Sequence, residues 1–315
     1  MSEKKYTKKI LFVGMPDMAL VCLSKLAAKG INVVGVVPPS KNDNTYKLMV
    51  DTVQTLGYDI IDYNISLSDN GFLQRIKNLN ADLGVVASFN KKLPEELLQL
   101  TKDGFINLHP SKLPDYRGAN PYSHVIINGE EESAITLHYM DENFDTGDII
   151  SQYLFNLDLN ETMGTLFYRT SQMCASMLYE ALDYYENHEF PRKPQPKEGN
   201  FKTAGALSFQ KKNTFIDWNK SAEEVERFIR ALNPFIGAVT CYNGMILRIN
   251  SAYVIRKKHN FSPGTICDTK NSLKVACAED ILEIDSIQYG AFFISSGRDF
   301  VERLNPKKGE ILYSE

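Results

Sequence analysis

The chain has 315 residues, of which 43% are hydrophobic and 23% charged, the composition of an ordinary globular protein that is long enough for two domains. Its formal net charge is −4, from 35 basic and 39 acidic side chains, so a nucleic-acid binder that is basic throughout is not indicated, whereas a local basic face is compatible with this balance. The sequence lacks the run of about 18 apolar residues that a membrane span would need.

The cysteines and the N-terminal segment bear on localisation. The five cysteines are odd in number and far apart, and neither a Cys-x-x-Cys pair nor a Cys/His cluster with metal-site spacing is present. They indicate buried thiols in a reducing compartment. The segment MSEKKYTKK is polar and lacks the apolar core of a signal peptide. We therefore expect a cytoplasmic protein with no bound metal.

Strands and helices alternate in the first part of the chain. The apolar runs KKILFVG (8–14), INVVGVV (31–37) and LGVVAS (83–88) are typical of buried parallel strands. A segment with helical spacing precedes each of the last two, and both TYKLMVDTVQTLGYDII (45–61) and ELLQLTKDGFINLHP (96–110) predict a helix followed by a strand. Strands that alternate with helices form βαβ units, so the sequence predicts an α/β domain with a Rossmann-like parallel sheet.

The composition changes after these units. SAITLHYM (133–140) alternates polar and apolar residues, which predicts a strand near a sheet edge, and a long helical stretch covers residues 164–189. Residues 190–205, FPRKPQPKEGNFKTAG, are rich in Pro, Lys and Gly and predict an interdomain linker. This linker separates an N-terminal domain (1–189) from a C-terminal domain (206–315).

The C-terminal domain is predicted to be small and rich in β-structure. Its clearest helix, SAEEVERFIRAL (221–232), begins with Ser221 as N-cap and has Glu224 three residues later. The short alternating segments around it are typical of a small β-barrel of the OB type: AVTCYNG, MILRINSAYVI, GTICDT, SLKVACAE and ILEIDSIQ.

The stretch NLHPSKLPDYRG (107–118) places an amide and an imidazole at the end of a predicted strand. Asn107 and His109 lie on one side of such a strand, because strand side chains repeat every two residues. Pro110 and Pro114 forbid a regular helix directly afterwards, so a stiff loop follows. Ligands of open parallel sheets bind beyond the carboxyl ends of the strands, which is where this polar pair is expected.

The first strand ends at the same edge of the sheet in Gly14-Met15-Pro16-Asp17. This is not the Gly-x-Gly-x-x-Gly turn of dinucleotide enzymes, because Pro16 and Asp17 stand where further glycines are needed. A nicotinamide cofactor is therefore not expected. The alternative to a ligand contact is a plain strand-to-helix turn capped by Asp17.

The segment DENFDTGDII (141–150) brings Asp145 forward in a turn that ends at Gly147. Asp-Thr-Gly also occurs in aspartic proteases, where two such loops pair their carboxylates, but this chain has one copy within a βαβ pattern. A protease is therefore disfavoured. Considered alone, Asp145 could equally be a helix cap or a turn residue.

An imidazole, a carboxylate and a carboxamide together suit acyl transfer. A neutral His can take the proton of an attacking amine, a carboxylate beside it fixes its tautomer, and an amide N–H can donate to the oxyanion that develops on the carbonyl. A nucleophilic Ser or Cys is not needed if the acceptor attacks directly. We interpret His124 and His138 as packing or surface residues, and His188 and His259 as residues of polar surroundings without a chemical role.

Four segments resemble one known family: FVGMPDMA (12–19), NLHPSKLPDYRGANP (107–121), ITLHYMDENFDTGDII (135–150) and IDWNKSAEEVERFIRALNPFIGAVT (216–240). They resemble, in order and over nearly the whole chain, the 10-formyltetrahydrofolate-dependent N-formyltransferases. This family includes methionyl-tRNA formyltransferase, sugar-nucleotide N-formyltransferases and formyltetrahydrofolate hydrolases. The combination of Asn-x-His with Asp-Thr-Gly is highly specific for it.

The resemblance implies a one-carbon transferase that moves a formyl group from 10-formyltetrahydrofolate to a primary amine. It implies that Asn107 stabilises the oxyanion, that His109 is the catalytic base and that Asp145 is the partner of this histidine. It also implies that the folate lies against a wall formed by three segments: Ala87, Ser88 and Phe89; Ser111, Leu113 and Pro114; and Asp141.

The resemblance leaves the acceptor open. The GMPD and IDW…NP segments are most similar to enzymes that formylate methionyl-tRNA for translation initiation, so initiator tRNA is the leading expectation. Those enzymes usually carry a long basic insertion after the second strand, whereas PPSKNDNTYK (38–47) is short and holds only Lys41 and Lys47. A segment with two lysines can neutralise only a few phosphates of a tRNA. This favours a smaller acceptor such as an amino-sugar nucleotide. Lysines near the linker could supply a basic face instead: Lys197, Lys202, Lys211 and Lys212.

Two further alternatives concern the activity itself. A formyltetrahydrofolate hydrolase would use the same folate with water as acceptor, but such enzymes often carry a regulatory domain before the catalytic one, and this sequence has no counterpart of it. A folate-binding module without activity is disfavoured, because competent residues fill all three catalytic positions.

Overall fold

The computed structural model describes residues 5–64, 66–290 and 293–313. Residues 1–4 and 314–315, which belong to the ends of the two predicted domains, lie outside the described residues. The chain folds into two compact units. The first unit comprises Met1–Gly118, Glu132–Phe155 and Tyr168–Thr203, and the second comprises Ala119–Glu131, Asn156–Phe167 and Ala204–Glu315.

The helices and strands up to residue 185 follow the alternation that the sequence predicts. In chain order they are β1 Ile10–Gly14, α1 Pro16–Ala28, β2 Val33–Val37, α2 Tyr46–Thr55, α3 Asn70–Asn78, β3 Leu83–Ala87, α4 Glu95–Leu98, β4 Phe105–His109, β5 Arg117–Gly118, α5 Pro121–Ile127, β6 Glu132–Tyr139, β7 Ile149–Asn156 and α6 Met163–Tyr185.

The first unit is built on a six-stranded sheet with the order β2-β1-β3-β4-β6-β7. The strands β2, β1, β3 and β4 are parallel to one another, and β6 runs antiparallel to β4. All five residues of β1 and of β3 are buried, as expected for strands covered on both faces. The predicted Rossmann-like parallel sheet is confirmed.

The strand β6 lies next to the edge strand β7, close to the edge as its sequence predicts, but it has no exposed face. Every residue from Ser133 to Tyr139 is buried. The polar residues Thr136 and His138 are therefore interior side chains, and interior polar atoms need hydrogen-bond partners. The alternation of polar and apolar residues along β6 therefore arises because one face of the strand borders a polar interior, not because that face is exposed to solvent.

The carboxyl ends of β1 and β3 approach each other closely. A Cβ at Gly14 would lie 2.6 Å from the carbonyl oxygen of Ala87, so a larger residue does not fit without a backbone shift. The N–H of Met15 donates to the carbonyl oxygen of Ser88 at 2.7 Å. Met15 is the N-cap of α1, so the turn is not capped by Asp17. Strand packing therefore fixes this turn.

Two predicted elements are shorter than the sequence suggests. The strand expected within residues 58–61 is reduced to an isolated parallel bridge between Val36 and Ile60. The helix expected from residue 96 is the single turn α4, which a tight turn follows, where the hydroxyl of Thr101 donates to the carbonyl oxygen of Gly104 at 2.7 Å. Local turn chemistry ends the helix before its apolar pattern does.

Residues 190–203, within the segment predicted as a linker, lie along the first unit; we call them the strap. Lys193 exchanges backbone hydrogen bonds of 2.8 and 3.0 Å with Ile149. The N–H of Tyr116 donates to the carbonyl oxygen of Lys202 at 2.6 Å. The strap thus contacts the first residue of β7, which follows the Asp145 loop, and the 110–118 loop.

The remaining elements form mainly β-structure. In chain order they are β8 Thr203–Ala204, a 3₁₀ turn at Phe209–Lys211, α7 Ala222–Leu232, β9 Ala238–Tyr242, β10 Met245–Ile255, β11 Ile266–Asp268, β12 Leu273–Ala276, β13 Ile281–Tyr289, β14 Phe293–Ser296 and α8 Gly297–Leu304.

An antiparallel sheet of order β11-β12-β13-β10-β9 organises the second unit, and β14 pairs with β13. The five strands of this order, β9 to β13, coincide with the five segments for which the sequence predicts strands. The β-barrel-like C-terminal domain is therefore confirmed. The apolar side of α7, with Val225, Ile229 and Leu232, is buried in the core of this unit. The sequence patterns predict neither β14 nor α8. In the described part of the chain, no helix is long and apolar enough to cross a membrane.

The capping box of α7 gives the first prediction. The hydroxyl of Ser221 accepts from the N–H of Glu224, and the carboxylate of Glu224 accepts from the N–H of Ser221. Ser221→Ala should lower the free energy of unfolding by about 1 kcal/mol, because the start of the helix loses its cap. Urea unfolding followed by the fluorescence of the single tryptophan, Trp218 in the same core, measures this. The exposed Ser262→Ala is the control, and equal stabilities of the two variants would contradict the prediction.

Candidate active site

The predicted polar residues meet at the carboxyl end of β4. Asn107 and His109 alternate along this strand, and Asp145 lies in the loop between β6 and β7. Oδ1 of Asp145 lies 3.5 Å from Nδ1 of His109 and 3.5 Å from Nδ2 of Asn107. The structure therefore brings the three residues together around one carboxylate oxygen.

The ring of His109 is buried, with 4% of the residue exposed, and one nitrogen is anchored. Nε2 lies 2.9 Å from the carbonyl oxygen of Tyr116, an acceptor, so Nε2 carries the hydrogen. In the neutral ring the lone pair is then on Nδ1, the atom that faces Asp145. A proton taken up at Nδ1 would lie next to Oδ1 of Asp145, 3.5 Å from this nitrogen, so the carboxylate would stabilise the positive charge of the ring.

Asp145 is held by the backbone around it. Its own backbone is left-handed, with φ +58°, an uncommon conformation for a residue with a side chain. The N–H of Gly118 donates to Oδ2 at 3.0 Å, which leaves Oδ1 for His109 and Asn107. A Cβ at Gly147 would overlap the carbonyl oxygen of Tyr139, so only glycine fits two residues after Asp145. The Asp-Thr-Gly sequence thus meets a steric requirement as well as a chemical one.

His138, for which the sequence predicts a packing or surface position, is a fourth member of this cluster. It pairs with Asn107 across β4 and β6. Its Nδ1 lies 2.7 Å from the carbonyl oxygen of Tyr139, so Nδ1 carries the hydrogen and Nε2 accepts from Nδ2 of Asn107 at 3.2 Å. Burial, followed by the neighbouring His109 ring, lowers the pKa of His138 to about 4. A neutral His138 therefore fixes which end of the Asn107 amide points into the site.

A signal for His138 is present in the strand pattern. Thr136 and His138 are separated by two residues on β6 and share a face of the strand, and both are buried. Asn107 and His138 are 31 residues apart in the chain. No local sequence pattern specifies that β4 and β6 pair so that these two residues meet. Two of the other histidines lie elsewhere: Nε2 of His124 bonds the carbonyl oxygen of Gly205, and His188 stacks on Tyr184.

The predicted folate residues of the 110–118 loop serve its own framework. The hydroxyl of Ser111 is buried and donates to the carbonyl oxygen of Asp115 at 2.8 Å. The N–H of Leu113 donates to Oγ1 of Thr136 at 3.3 Å, and Leu113 is buried, with Pro114 directly after it. These bonds hold the loop on β6 and fix the position of any surface that it offers to a ligand.

The other predicted folate residues flank the cluster. Ala87 pairs with Leu108 where β3 lies beside β4, and Ser88 follows with a left-handed backbone of φ +56°. Phe89 packs, half-buried, against the core of the first unit. The carboxylate of Asp141 accepts from the hydroxyl of Thr146 at 2.7 Å, which closes the 141–146 loop.

Metal ligands and reactive thiols would offer other chemistry. Over the described ranges, the side chains of His, Cys, Asp and Glu form no group of three or more that could hold a metal ion. The five cysteines are free thiols, and burial raises the pKa of Cys22 and of Cys277 to about 12. Such thiols are poor nucleophiles at neutral pH.

Two family models match the chain. Residues 8–182 match the model described as formyl transferase, and residues 208–305 match the model described as formyl transferase, C-terminal domain.

Curated relatives are similar over nearly their full length. The methionyl-tRNA formyltransferase of Clostridioides difficile is 38% identical over 289 residues, which cover 89% of this chain and 92% of that protein. The methionyl-tRNA formyltransferase of Alkaliphilus oremlandii is 34% identical over 310 residues, which cover 96% of this chain and 99% of that protein.

Solved structures share the fold. An N-formyltransferase from Helicobacter canadensis, in complex with folinic acid and dTDP-3-aminofucose, has a TM-score of 0.67 at 19% identity and covers 90% of this chain and 100% of its own. HypX from Aquifex aeolicus, in complex with tetrahydrofolic acid, has a TM-score of 0.64 at 14% identity over 96% of this chain and 48% of its own.

The neutral state of His138 gives a pH-dependent prediction. Its pKa is about 4 in the folded protein against an ordinary 6.5, so the unfolded chain binds the proton more readily, and the stability from this group is complete above pH 6.5 and decreases as the pH falls towards 4. His138→Gln should therefore lose about 2 kcal/mol less stability than the wild type between pH 7 and pH 5. Urea unfolding followed by circular dichroism at both pH values measures the difference. The same substitution at the exposed His188 is the matched control, and an unchanged pH dependence in His138→Gln would contradict a neutral buried ring.

Proposed function

The chain belongs to the formyl transferase family, and we propose that it transfers the formyl group of 10-formyltetrahydrofolate to the amino group of methionine carried by initiator tRNA. Membership of this family makes it a formyltransferase, an enzyme of one-carbon metabolism. The observation that carries the acceptor is the similarity to methionyl-tRNA formyltransferases, at 34–38% identity over nearly the full length of both chains.

In this proposal Asn107, His109 and Asp145 carry the chemistry. The amine attacks the formyl carbon, the carbonyl oxygen gains negative charge, and the bond from the formyl carbon to the folate nitrogen then breaks. Nδ1 of His109 takes the proton that the amine loses, because Nε2 is occupied by the carbonyl oxygen of Tyr116. The folate nitrogen regains a proton as it leaves, so one proton is moved overall and none is consumed.

The amide of Asn107 would stabilise the developing oxyanion. One hydrogen of Nδ2 is engaged by Nε2 of His138 at 3.2 Å, whereas the contact with Oδ1 of Asp145 is longer, at 3.5 Å. The second hydrogen is thus the one that can turn to an oxyanion. An oxyanion donor acts best when it is aimed before the reaction, and the bond to His138 supplies this aim.

The donor is proposed to lie against the loops that flank this cluster. In this proposal the wall consists of Ser111, Leu113 and Pro114 of the 110–118 loop, of Ala87, Ser88 and Phe89 at the end of β3, and of Asp141 in the 141–146 loop. What supports this is that hydrogen bonds anchor the 110–118 loop and the 141–146 loop, since a rigid wall reduces the entropy lost on binding.

The catalytic assignment is tested by two substitutions. His109→Ala and Asp145→Ala should each lower kcat about 100- to 1000-fold, because the first removes the base and the second removes its partner. Folate binding, measured by calorimetry with a stable formyl-folate analogue, should persist and show that the variants are folded. His124→Ala is the matched control, a half-buried histidine outside the cluster. A kcat within a few-fold of the wild type in His109→Ala would exclude the mechanism.

A specific observation favours a second candidate, an amino-sugar nucleotide. In the 38–47 segment Nζ of Lys41 lies 3.2 Å from Oδ2 of Asp62, so one of its two lysines already has a carboxylate partner. A segment with so little free positive charge neutralises few phosphates. The proposal of tRNA therefore requires that other basic residues, such as Lys197 and Lys211, engage its phosphates.

A parallel assay separates the acceptors. Transfer from 10-formyltetrahydrofolate is measured with charged initiator tRNA, with a panel of amino-sugar nucleotides, and with water alone. With tRNA the rate at low substrate should fall steeply as salt rises from about 50 to 200 mM, because each neutralised phosphate adds to the salt slope. Lys211→Glu should raise the KM for tRNA, whereas Lys102→Glu, a charge reversal just before β4 at the strand end opposite to His109, should not.

The outcomes of this assay are distinct. Product with tRNA supports the proposal, and product with a sugar nucleotide but not with tRNA overturns it in favour of the second candidate. Release of formate without any amine would identify a hydrolase.

A further inference from the structure

The strap contributes one side chain that is almost completely buried. Gln195 is 8% exposed, although it lies in a segment rich in Pro, Lys and Gly. Its Nε2 donates to the carbonyl oxygen of Asp145 at 3.0 Å and to that of Gly147 at 2.7 Å. Its Oε1 accepts from Nη2 of Arg117 at 2.6 Å and from Nε at 3.3 Å. Both hydrogens and both lone pairs of the amide are therefore used.

These bonds close a ring around Asp145. Arg117 holds Gln195, and Gln195 holds the backbone of Asp145 and Gly147. The next residue after Arg117 is Gly118, whose N–H holds the carboxylate of Asp145 at Oδ2. The backbone and the side chain of Asp145 are thus fixed from the same two-residue segment, once directly and once through Gln195.

Asp145 needs such support because its backbone is left-handed. A residue with a side chain keeps this conformation only when its surroundings determine it. Rotation of the peptide after Asp145 would turn its carbonyl oxygen away from Gln195 and move the carboxylate relative to His109. The three bonds from Gly118 and Gln195 oppose this rotation.

We propose that Gln195 is a positioning residue of the formyl transfer, which holds the Asp145 loop so that the carboxylate faces His109 and Asn107. The inference rests on the proposed catalytic role of Asp145. The strap thereby takes part in the active site, although it contributes no reacting group. The strap has the composition of a linker between domains. In this proposal it also holds the Asp145 loop in place.

Two substitutions in the full-length protein test the proposal. Gln195→Met removes both ends of the amide at similar volume, and Gln195→Glu keeps oxygen atoms for Arg117 but cannot donate to the two carbonyl groups when ionised. Each should lower kcat about 10- to 100-fold, since small displacements of a catalytic group cost this much, with the KM values for donor and acceptor changed by less than about 3-fold. Gln74→Met, on the exposed side of α3, is the matched control and should keep the wild-type kcat.

A double variant separates positioning from a general effect on stability. In an Asp145→Asn background, Gln195→Met should lower kcat by less than about 3-fold, because a residue that acts through Asp145 has nothing left to position. A loss in the double variant equal to the product of the two single losses would overturn the proposal. A wild-type kcat in Gln195→Glu would also overturn it, and this near-isosteric variant decides the matter if Gln195→Met does not fold.

The proposed function fails in a different way. If Asp145→Asn alone keeps a kcat close to the wild type, the catalytic role of Asp145 is wrong, whatever Gln195 does. If Asp145→Asn is strongly impaired while both Gln195 variants are fully active, the catalytic role stands and only the positioning role is excluded.

Discussion

The site depends on one constraint, that a single carboxylate must be held against two side chains of a neighbouring strand. Oδ1 of Asp145 lies 3.5 Å from both Asn107 and His109, and no regular element carries Asp145. The loop that carries it has a left-handed residue and a glycine pressed against Tyr139. Loops of this kind do not keep their shape alone, so the surrounding hydrogen bonds are part of the site.

The sheet and the loops contribute differently to this arrangement. β4 is flanked by β3 and β6, so the spacing of Asn107 and His109 is fixed by the strand ladder. The antiparallel β6 adds His138, whose neutral ring orients the Asn107 amide. The 110–118 loop then supplies the Tyr116 carbonyl that selects the tautomer of His109. The rigid sheet sets the spacing of Asn107 and His109, and a backbone carbonyl group of the loop determines which ring nitrogen of His109 carries the hydrogen.

The sequence predicts those parts of the structure that local patterns determine. The buried strands, the α7 capping box and the five strands of the C-terminal sheet follow from periodicity and cap residues. The convergence of Asn107, His109 and Asp145 follows from strand-end position and from resemblance to a family. The contact of His138 with Asn107 could not be predicted, because it depends on the register between β4 and β6. The strap has the composition of a plain linker, because a low content of apolar residues conceals the hydrogen bonds that fix Gln195.

The position of the strap in the chain has a consequence for the order of events during synthesis. Domains fold as they emerge from the ribosome, N-terminal parts first. The strands of the first sheet end at Asn156, whereas the amide that completes the hydrogen bonds around Asp145 belongs to residue 195, beyond the long helix α6. A nascent chain can therefore form the sheet with Asn107 and His109 in place while the Asp145 loop still lacks its outer support. The site would mature only when the strap has been made, so a chain whose synthesis stops after α6 would carry every proposed catalytic residue without the fixed geometry of the finished protein.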